Sequence, residues 1–321
     1  MKENLLDEKL YQDCLYHSNR YNKVDGFWGE LASTHKYENP ERLRSAFRRE
    51  RDHRQEFALQ KAMNLDSHDV VIFDIETLPI RAYAWKTWEE NISPNQLIDD
   101  WIIVSWAAKD FMREEVRNQV LSSKEAKQRD DKRIVEGLWE EFDNASILIG
   151  HNIIDFDIPK ANTRFLYHGM KPPSHYRAID TLRILKYNFR FTFNRLDFIN
   201  TTLGLMPKMD NDGFPLWARC SEGDSRALED MSQYNCQDIL SEEELYVLVR
   251  GWDNKHPNIG LFFDDAMNHC KNCGSELLTL LDKPYRTPLG EYQSKRCMNC
   301  GAINRTAKSS TSKEKRENLL R

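Results

Sequence analysis

The stretch DVVIFDIE, residues 69–76, reads as a β-strand: it is short, β-branched and aromatic, and too brief for an amphipathic helix. Successive strand side chains point to opposite faces, so Asp74 and Glu76 share one face while Val71, Phe73 and Ile75 take the other. Two carboxylates on one side of an otherwise apolar strand repel each other and lose hydration, so they need a cation to stay charged. For the pair alone, an acidic edge strand that resists aggregation is the competing reading.

Outward from this strand, the chain alternates strands and helices, the pattern of an α/β core. Further strands are expected at 101–107, around 115–121 and at 146–150, and helices at 124–143, 157–168, 194–203 and 226–250. Residues 206–224, MPKMDNDGFPLWARCSEGD, are rich in Gly, Asp, Asn and Pro and are expected to form a long loop near the catalytic face.

Two more segments carry acids. After the strand SILIG comes GHNIIDFDIPKANTRFLYHG, in which Asn152 ends the strand, Phe156 wedges into the core and Asp157 opens a helix. Asp155 lies two residues earlier as a rival, and helix capping is a sufficient alternative role for Asp157. Within ALEDMSQYNCQDILSEEELYVLVRGW, Tyr234 and Asp238 are four apart, on one helical face.

Taken in order, Asp-x-Glu on a first strand, Asn-x-x-x-Phe-Asp after a later one and Tyr-x-x-x-Asp on a C-terminal helix resemble the three signatures of the DEDD exonuclease superfamily, in its tyrosine branch. The spacing, 83 residues from Asp74 to Asp157 and 81 on to Asp238, suits that superfamily's RNase H-like fold, a mixed sheet flanked by helices. A closer likeness is to phage-type nucleases, through DIETLPIRAYAW (74–85), DWIIVSWAAKDF (100–111) and GFPLWARCSEGD (213–224). The extra acid in the second signature leaves the choice between Asp155 and Asp157 open.

The resemblance implies a 3′→5′ exonuclease in which Asp74, Glu76, Asp157 and Asp238 hold two Mg²⁺ or Mn²⁺ ions, about 3.5–4 Å apart in such pairs. Tyr234 would orient or help deprotonate the attacking water, Thr77 would contact the terminal nucleotide, and nucleoside 5′-monophosphates would be released. The expected substrate is a single-stranded or frayed 3′ end of DNA. RNA stays open, because a carboxylate site does not itself read the 2′-hydroxyl. A non-catalytic nucleic-acid-binding adaptor is the reading from another class. Trp85, Trp106 and Trp217 offer flat surfaces for an unpaired base, with ordinary core the stronger reading for Trp106.

Near the C-terminus, Cys270-Lys271-Asn272-Cys273-Gly274 and Cys297-Met298-Asn299-Cys300-Gly301 form two C-x-x-C knuckles with 23 residues between them. Four thiolates at this spacing make a closed, tetrahedral structural Zn²⁺ site of the zinc-ribbon type, with His269 superfluous. The ribbon either grips nucleic acid or a partner, or acts as a stabilising clasp. Cys14, Cys220 and Cys236 are left as free thiols.

The net charge of −5 is unevenly spread. Residues 1–66 carry 12 Lys+Arg and 12 Asp+Glu, residues 67–267 carry 23 and 34, and residues 268–321 carry 11 and 5. A carboxylate-rich centre is thus followed by a basic end. The expected organisation is a helical, helix-turn-helix-like domain at 1–66, an RNase H-like domain at 67–255, a zinc ribbon at 266–304 and a basic mobile tail at 305–321. In the first of these, Leu43 and Phe47 point inward and Arg44, Arg48 and Arg51 lie in an Arg-rich helix placed to meet nucleic acid, a solvated packing face being the alternative. No apolar run approaches the roughly 20 residues of a membrane span, and the first residues lack a signal-peptide pattern, so a cytoplasmic location is expected.

Overall fold

In the computed structural model the chain divides into two compact units, Leu65–Pro257 and Met1–Asn64 with Asn258–Arg321. The structure describes residues 9–11, 13–14, 27–37, 39–40, 43–44, 46–47, 69–88, 91–206, 209, 212–263 and 268–319. Arg48 and Arg51 lie outside the described residues. Within the described part of residues 9–47, helix α1 (Phe27–Thr34) and flanking helical residues enclose a small core of Leu10, Tyr11, Cys14, Leu31, Ala32, Leu43 and Phe47, beside which Arg44 is half-buried.

The larger unit is built on a five-stranded sheet. Its strands are β1 (Val70–Leu78), β4 (Ile102–Asp110), β5 (Val116–Val120), β6 (Ile147–Gly150) and β7 (Arg177–Asp180), in the order β5-β4-β1-β6-β7. β1 pairs antiparallel with β4 and parallel with β6, β6 pairs parallel with β7, and β4 pairs antiparallel with β5. The short strands β2 (Arg81–Ala82) and β3 (Leu97–Asp99) form a ribbon inserted between β1 and β4. The helices are α2 (Ser123–Gln128), α3 (Lys132–Asn144), α4 (Asp157–Tyr167), α5 (Thr181–Asn188), α6 (Leu196–Leu203), α7 (Phe214–Ser221) and α8 (Ser225–Val249). This mixed sheet flanked by helices is an RNase H-like α/β fold.

Strand β4 shows how the layers are assigned. It is buried on both faces, so neighbouring residues must satisfy different helices. Trp106 turns toward α3, where its indole N–H donates to the Ile134 carbonyl at 2.7 Å, while Ser105 turns toward α8 and donates to Asn235 at 3.0 Å. Since Ser105 pairs with Glu76 and Ala107 with Asp74, both acids of β1 face the α8 side. Gly150 is required where β6 passes β1: a Cβ there would stand 2.2 Å from the Ile153 Cγ2 and 2.9 Å from the Phe73 carbonyl oxygen.

Several elements differ from the sequence-based expectation. The helix expected over 124–143 is two helices, because Arg129 takes a left-handed conformation (φ 52°) that ends α2. Residues 206–224 are not one long loop, since 214–221 form α7. Gly213 (φ 68°) ends the loop, Pro215 suits a first helical turn, and Leu216 and Cys220, four apart, bury one face. β7 is absent from the sequence-based expectation, since a four-residue strand offers too little alternation to recognise.

In the smaller unit, β8 (Leu278–Thr287), β9 (Gly290–Cys297) and β10 (Ile303–Ser309) form an antiparallel sheet in the order β10-β9-β8, followed by α9 (Lys313–Glu317). Residues 303–309 are therefore held by β-pairing, where their polar composition implied a mobile tail. Backbone hydrogen bonds to β9 hold them, and these bonds do not register in side-chain hydrophobicity.

Asp131 ties α3 to β4 and α4. Its carboxylate is fully buried and accepts from the Ile103 amide at 3.0 Å and from the Arg164 guanidinium at 2.7 and 2.5 Å, with the His168 Nε2 at 2.7 Å. Removing one member of such a set strands the other charge in the interior. Asp131→Ala is expected to cost about 3–5 kcal/mol, read as a lower midpoint in guanidinium unfolding. The double variant with Arg164→Met should lose less than the two single changes together.

Candidate active site and metal centre

Strand β1 supplies the first two acids. Phe73 and Ile75 are buried on one side, while Asp74 and Glu76 are half-buried on the other. The β1–β4 register shifts between Glu76 and Thr77, a bulge that twists the strand just past the acids and leaves Thr77 half-buried beside them in sequence. Helix α8 supplies the third acid: Asp238 is 2% exposed, and α8 packs across β1, β4 and β5. Carboxylate oxygens of Asp74, Glu76 and Asp238 all lie within 4.8 Å of one another.

Three carboxylates this close, sheltered from water, raise one another's energy when ionised. An all-oxygen donor set fits hard divalent cations of the Mg²⁺ or Mn²⁺ kind and suits soft metals poorly. RNase H-like nucleases use such metals, and the acidic group here has the chemistry to hold them.

Asp157 reaches the site differently. It is the first residue of α4, 2% exposed, and its Oδ1 accepts from the Ile75 amide at 3.3 Å, the peptide N–H between Asp74 and Glu76. It thus abuts the strand carrying the acids without being one of the three grouped carboxylates. Asp155 points elsewhere: its carboxylate is exposed and pairs with Arg183 at 2.8 Å. Tyr234 lies one turn before Asp238, 8% exposed, its ring edge-on to Trp217 at 6.2 Å between centroids. Trp106 is core, whereas Trp85 is 93% exposed on the segment joining β2 and β3.

Residues that the sequence reading passed over hold these groups in place. Asn235 donates to the Asp74 Oδ2 at 2.6 Å and accepts from the Ser105 hydroxyl, so Asp74 is oriented by a side chain that is itself oriented. The available signal was its helical spacing, three residues before Asp238. Asp180, at the end of β7, accepts from the amides of Asn152 at 3.0 Å, Ile154 at 3.2 Å and Arg183 at 3.2 Å. Those bonds pin the turn that delivers Asp157, in which Asn152 is left-handed (φ 73°). His151, in the same turn, is held between the Thr181 hydroxyl and the Asn194 carbonyl, each at 2.9 Å, and Thr181 donates to the buried Glu242 at 2.8 Å. Lys160, one turn past Asp157, sets its ammonium 3.8 Å from the Trp101 ring centroid. Burial pulls its pKa down, opposed by Asp100 and Asp157.

The second candidate metal centre is in the smaller unit. The sulfurs of Cys270 and Cys300 are 3.6 Å apart, those of Cys273 and Cys297 are 3.5 Å apart, and all four lie within 4.8 Å. A tetrahedron with Zn–S bonds of about 2.3 Å has edges of about 3.8 Å, so the group is of the right size for zinc. Both knuckles close as turns, with the Gly274 amide donating to the Cys270 carbonyl at 2.8 Å and the Gly301 amide to Cys297 at 3.0 Å. Both glycines have positive φ. Hydrogen bonds from Cys273 and the other two thiols, together with Asn304, hold the Cys270 thiol below its usual range. His269 is engaged elsewhere, stacked on Phe263 and bonded to the Gly274 carbonyl. The cysteines outside this group are unreactive core where burial is deep: it pushes Cys14 up to about 11 and Cys220 up to about 12.

A family model described as RNase_H superfamily matches residues 101–250. The matched segment runs from just before β4 to just past α8, so it includes Asp157, Tyr234 and Asp238 and begins after Asp74 and Glu76. No curated protein matches the chain. The segment is RNase H-like, which points to nuclease-type hydrolase chemistry on nucleic acid. Among the described residues, no helix is long and apolar enough to cross a membrane.

Two outcomes check these centres. Asn235→Ala removes the side-chain amide that orients Asp74, and is expected to weaken Mn²⁺ binding by about 10–100-fold in a calorimetric titration. Cys297→Ser should lower the zinc content measured by metal analysis from one ion per chain toward none and make the smaller unit susceptible to protease.

Proposed function

We propose that this chain is a metal-dependent 3′→5′ exonuclease of the tyrosine DEDD type, acting on single-stranded or frayed 3′ ends of DNA and releasing nucleoside 5′-monophosphates. The observation that carries the reading is the gathering of Asp74, Glu76 and Asp238 within 4.8 Å, from a strand and a helix far apart in sequence. Asp157, at the start of α4 and bonded to the Ile75 amide, would complete the set of four acids.

In this reading two Mg²⁺ or Mn²⁺ ions, held by Asp74, Glu76, Asp157 and Asp238, would supply an acidified water and charge stabilisation at the attacking and leaving oxygens. Asn235 keeps the Asp74 carboxylate in one rotamer, so little reorganisation is needed when the cations and substrate arrive. The Tyr234 hydroxyl would accept a hydrogen bond from the attacking water and aim its lone pair at the phosphorus. Its ring is fixed by Trp217 and by the fold of α8. Thr77, at the bulge that follows Glu76, would contact the terminal nucleotide. The exposed Trp85 offers a face on which an unpaired base can stack. The four-cysteine group takes one structural Zn²⁺, and Arg44, Arg48 and Arg51 contribute positive charge to substrate capture. The setting fits a phage-type enzyme working in the cytoplasm of a bacterial cell.

The test is degradation of a 5′-labelled single-stranded DNA in Mg²⁺, run beside an RNA of the same sequence. The expected product pattern is a ladder shortening from the 3′ end, faster on DNA, with 5′-mononucleotides released. Asp74→Asn and Asp238→Asn should each remove the ladder, and Tyr234→Phe should slow it by about 10²-fold, the lower range for loss of a positioned acid–base group. A ladder of undiminished rate from Asp74→Asn would overturn the assignment.

A further inference from the structure

The three-stranded sheet of the smaller unit carries more positive charge than its fold needs. Residues 278–309 contain six Lys+Arg against two Asp+Glu, in a chain whose net charge is −5. Glu291 is already paired with Arg286 at 2.8 Å. Lys283, Lys295, Arg305 and Lys308 have no acidic partner among the described residues. An uncompensated cluster of this kind costs self-repulsion and contributes nothing to holding the cysteine group together.

The strand register places aromatic rings on the face that carries Arg305, with Lys295 on the other face. Tyr285 pairs with Tyr292, Tyr292 pairs with Ser309, and Arg305 pairs with Ser294. Cross-strand partners and alternate residues share a face, so Tyr285, Tyr292, Arg296 and Arg305 all lie on one side of the sheet. The Arg305 guanidinium lies 4.2 Å from the Tyr292 ring centroid and 6.0 Å from that of Tyr285. Stacking of this kind holds an exposed arginine flat and pre-oriented, with Nη1 also donating to the Thr306 carbonyl at 3.5 Å. Half-buried tyrosines beside an arginine, with exposed Lys283 and Lys308 on the strands either side of β9, are a combination that meets the two parts of a single-stranded polynucleotide: phosphates by charge, bases by stacking.

We propose that this face of the sheet, centred on Tyr285, Tyr292 and Arg305, is a second binding site for single-stranded nucleic acid, distinct from the carboxylate cluster. The inference rests on the exonuclease reading only in taking a polynucleotide as the natural ligand. An acidic polypeptide would satisfy the charge and leave the stacked tyrosines unexplained. Held at this face as well as at its end, a strand would stay on the chain between successive cleavages.

The experiment uses the full chain carrying Asp74→Asn, so that binding is read without turnover, and follows the anisotropy of a fluorescein-labelled oligothymidylate over a series of salt concentrations. Arg305→Glu is expected to weaken binding by about tenfold or more and to flatten the logarithmic salt dependence by about one for each phosphate that is no longer neutralised. Lys283→Glu and Lys308→Glu, at exposed positions outside the cysteine group, should act in the same direction with unchanged zinc content, which excludes misfolding as the cause. Arg305→Lys should keep the salt slope while losing affinity.

Equal affinity and slope in all three charge reversals would overturn the proposal. Tighter binding of labelled polyglutamate than of the oligonucleotide would overturn it in favour of an acidic protein partner. The two readings fail separately. A wild-type chain that binds the oligonucleotide through this face but degrades nothing refutes the exonuclease and leaves the binding site standing. A chain that degrades DNA with the reversals binding normally does the opposite.

Discussion

Strand β1 has to satisfy two opposed demands, and the larger unit is organised around the conflict. One face carries Phe73 and Ile75 into the core, and the other carries Asp74 and Glu76, whose charges oppose burial. A central strand cannot simply expose its polar face, because neighbours cover both sides. The arrangement resolves this by bringing polar groups to the acids: Asn235 from α8 binds Asp74, Ser105 from β4 binds Asn235, and a third acid, Asp238, arrives from the same helix. The third acid increases the repulsion, so the cluster gains stability from cations rather than from the protein alone. The same feature that makes it costly makes it useful.

Around that cluster the fold uses buried carboxylates as fasteners. Asp180 collects the amides of the turn after β6, and Asp131 collects an arginine, a histidine and a strand amide. Neither belongs to the acidic cluster, yet each fixes an element that bears on it: Asp180 the turn that leads to Asp157, Asp131 the α4 helix that Asp157 begins. A buried carboxylate with all its acceptor sites occupied is rigid in a way that an apolar contact is not, because displacing it leaves several donors unsatisfied together. Precision in a metal site requires that kind of support.

The smaller unit solves a different problem. Its sheet has few large apolar side chains to bury, and the buried cluster beside the sheet is the four cysteines with Ala302, packed by Leu278. Below a certain core size, a metal cross-link replaces hydrophobic area as the source of order. A sheet stabilised in that way would be free to carry a basic surface, such as the exposed Arg305 stacked on Tyr292.

How much of this was legible in the sequence depends on the range of the interaction concerned. Strand alternation put Asp74 and Glu76 on one side, helical spacing put Tyr234 and Asp238 on one face, and the glycine-closed knuckles marked the four cysteines, because each pattern is set within a few residues by backbone geometry. The same local rules misjudged α7 and β10, where burial of Leu216 and Cys220 and pairing with β9 outweighed a polar, turn-rich composition. What only the tertiary structure decided is non-local. Asn235 reaches Asp74 across 161 residues, Asp157 turns toward β1 while its near neighbour Asp155 turns to Arg183, and Arg305 lies over Tyr292. Those choices depend on which strands become neighbours and in what register, a property of the folded sheet that no short stretch of the chain contains.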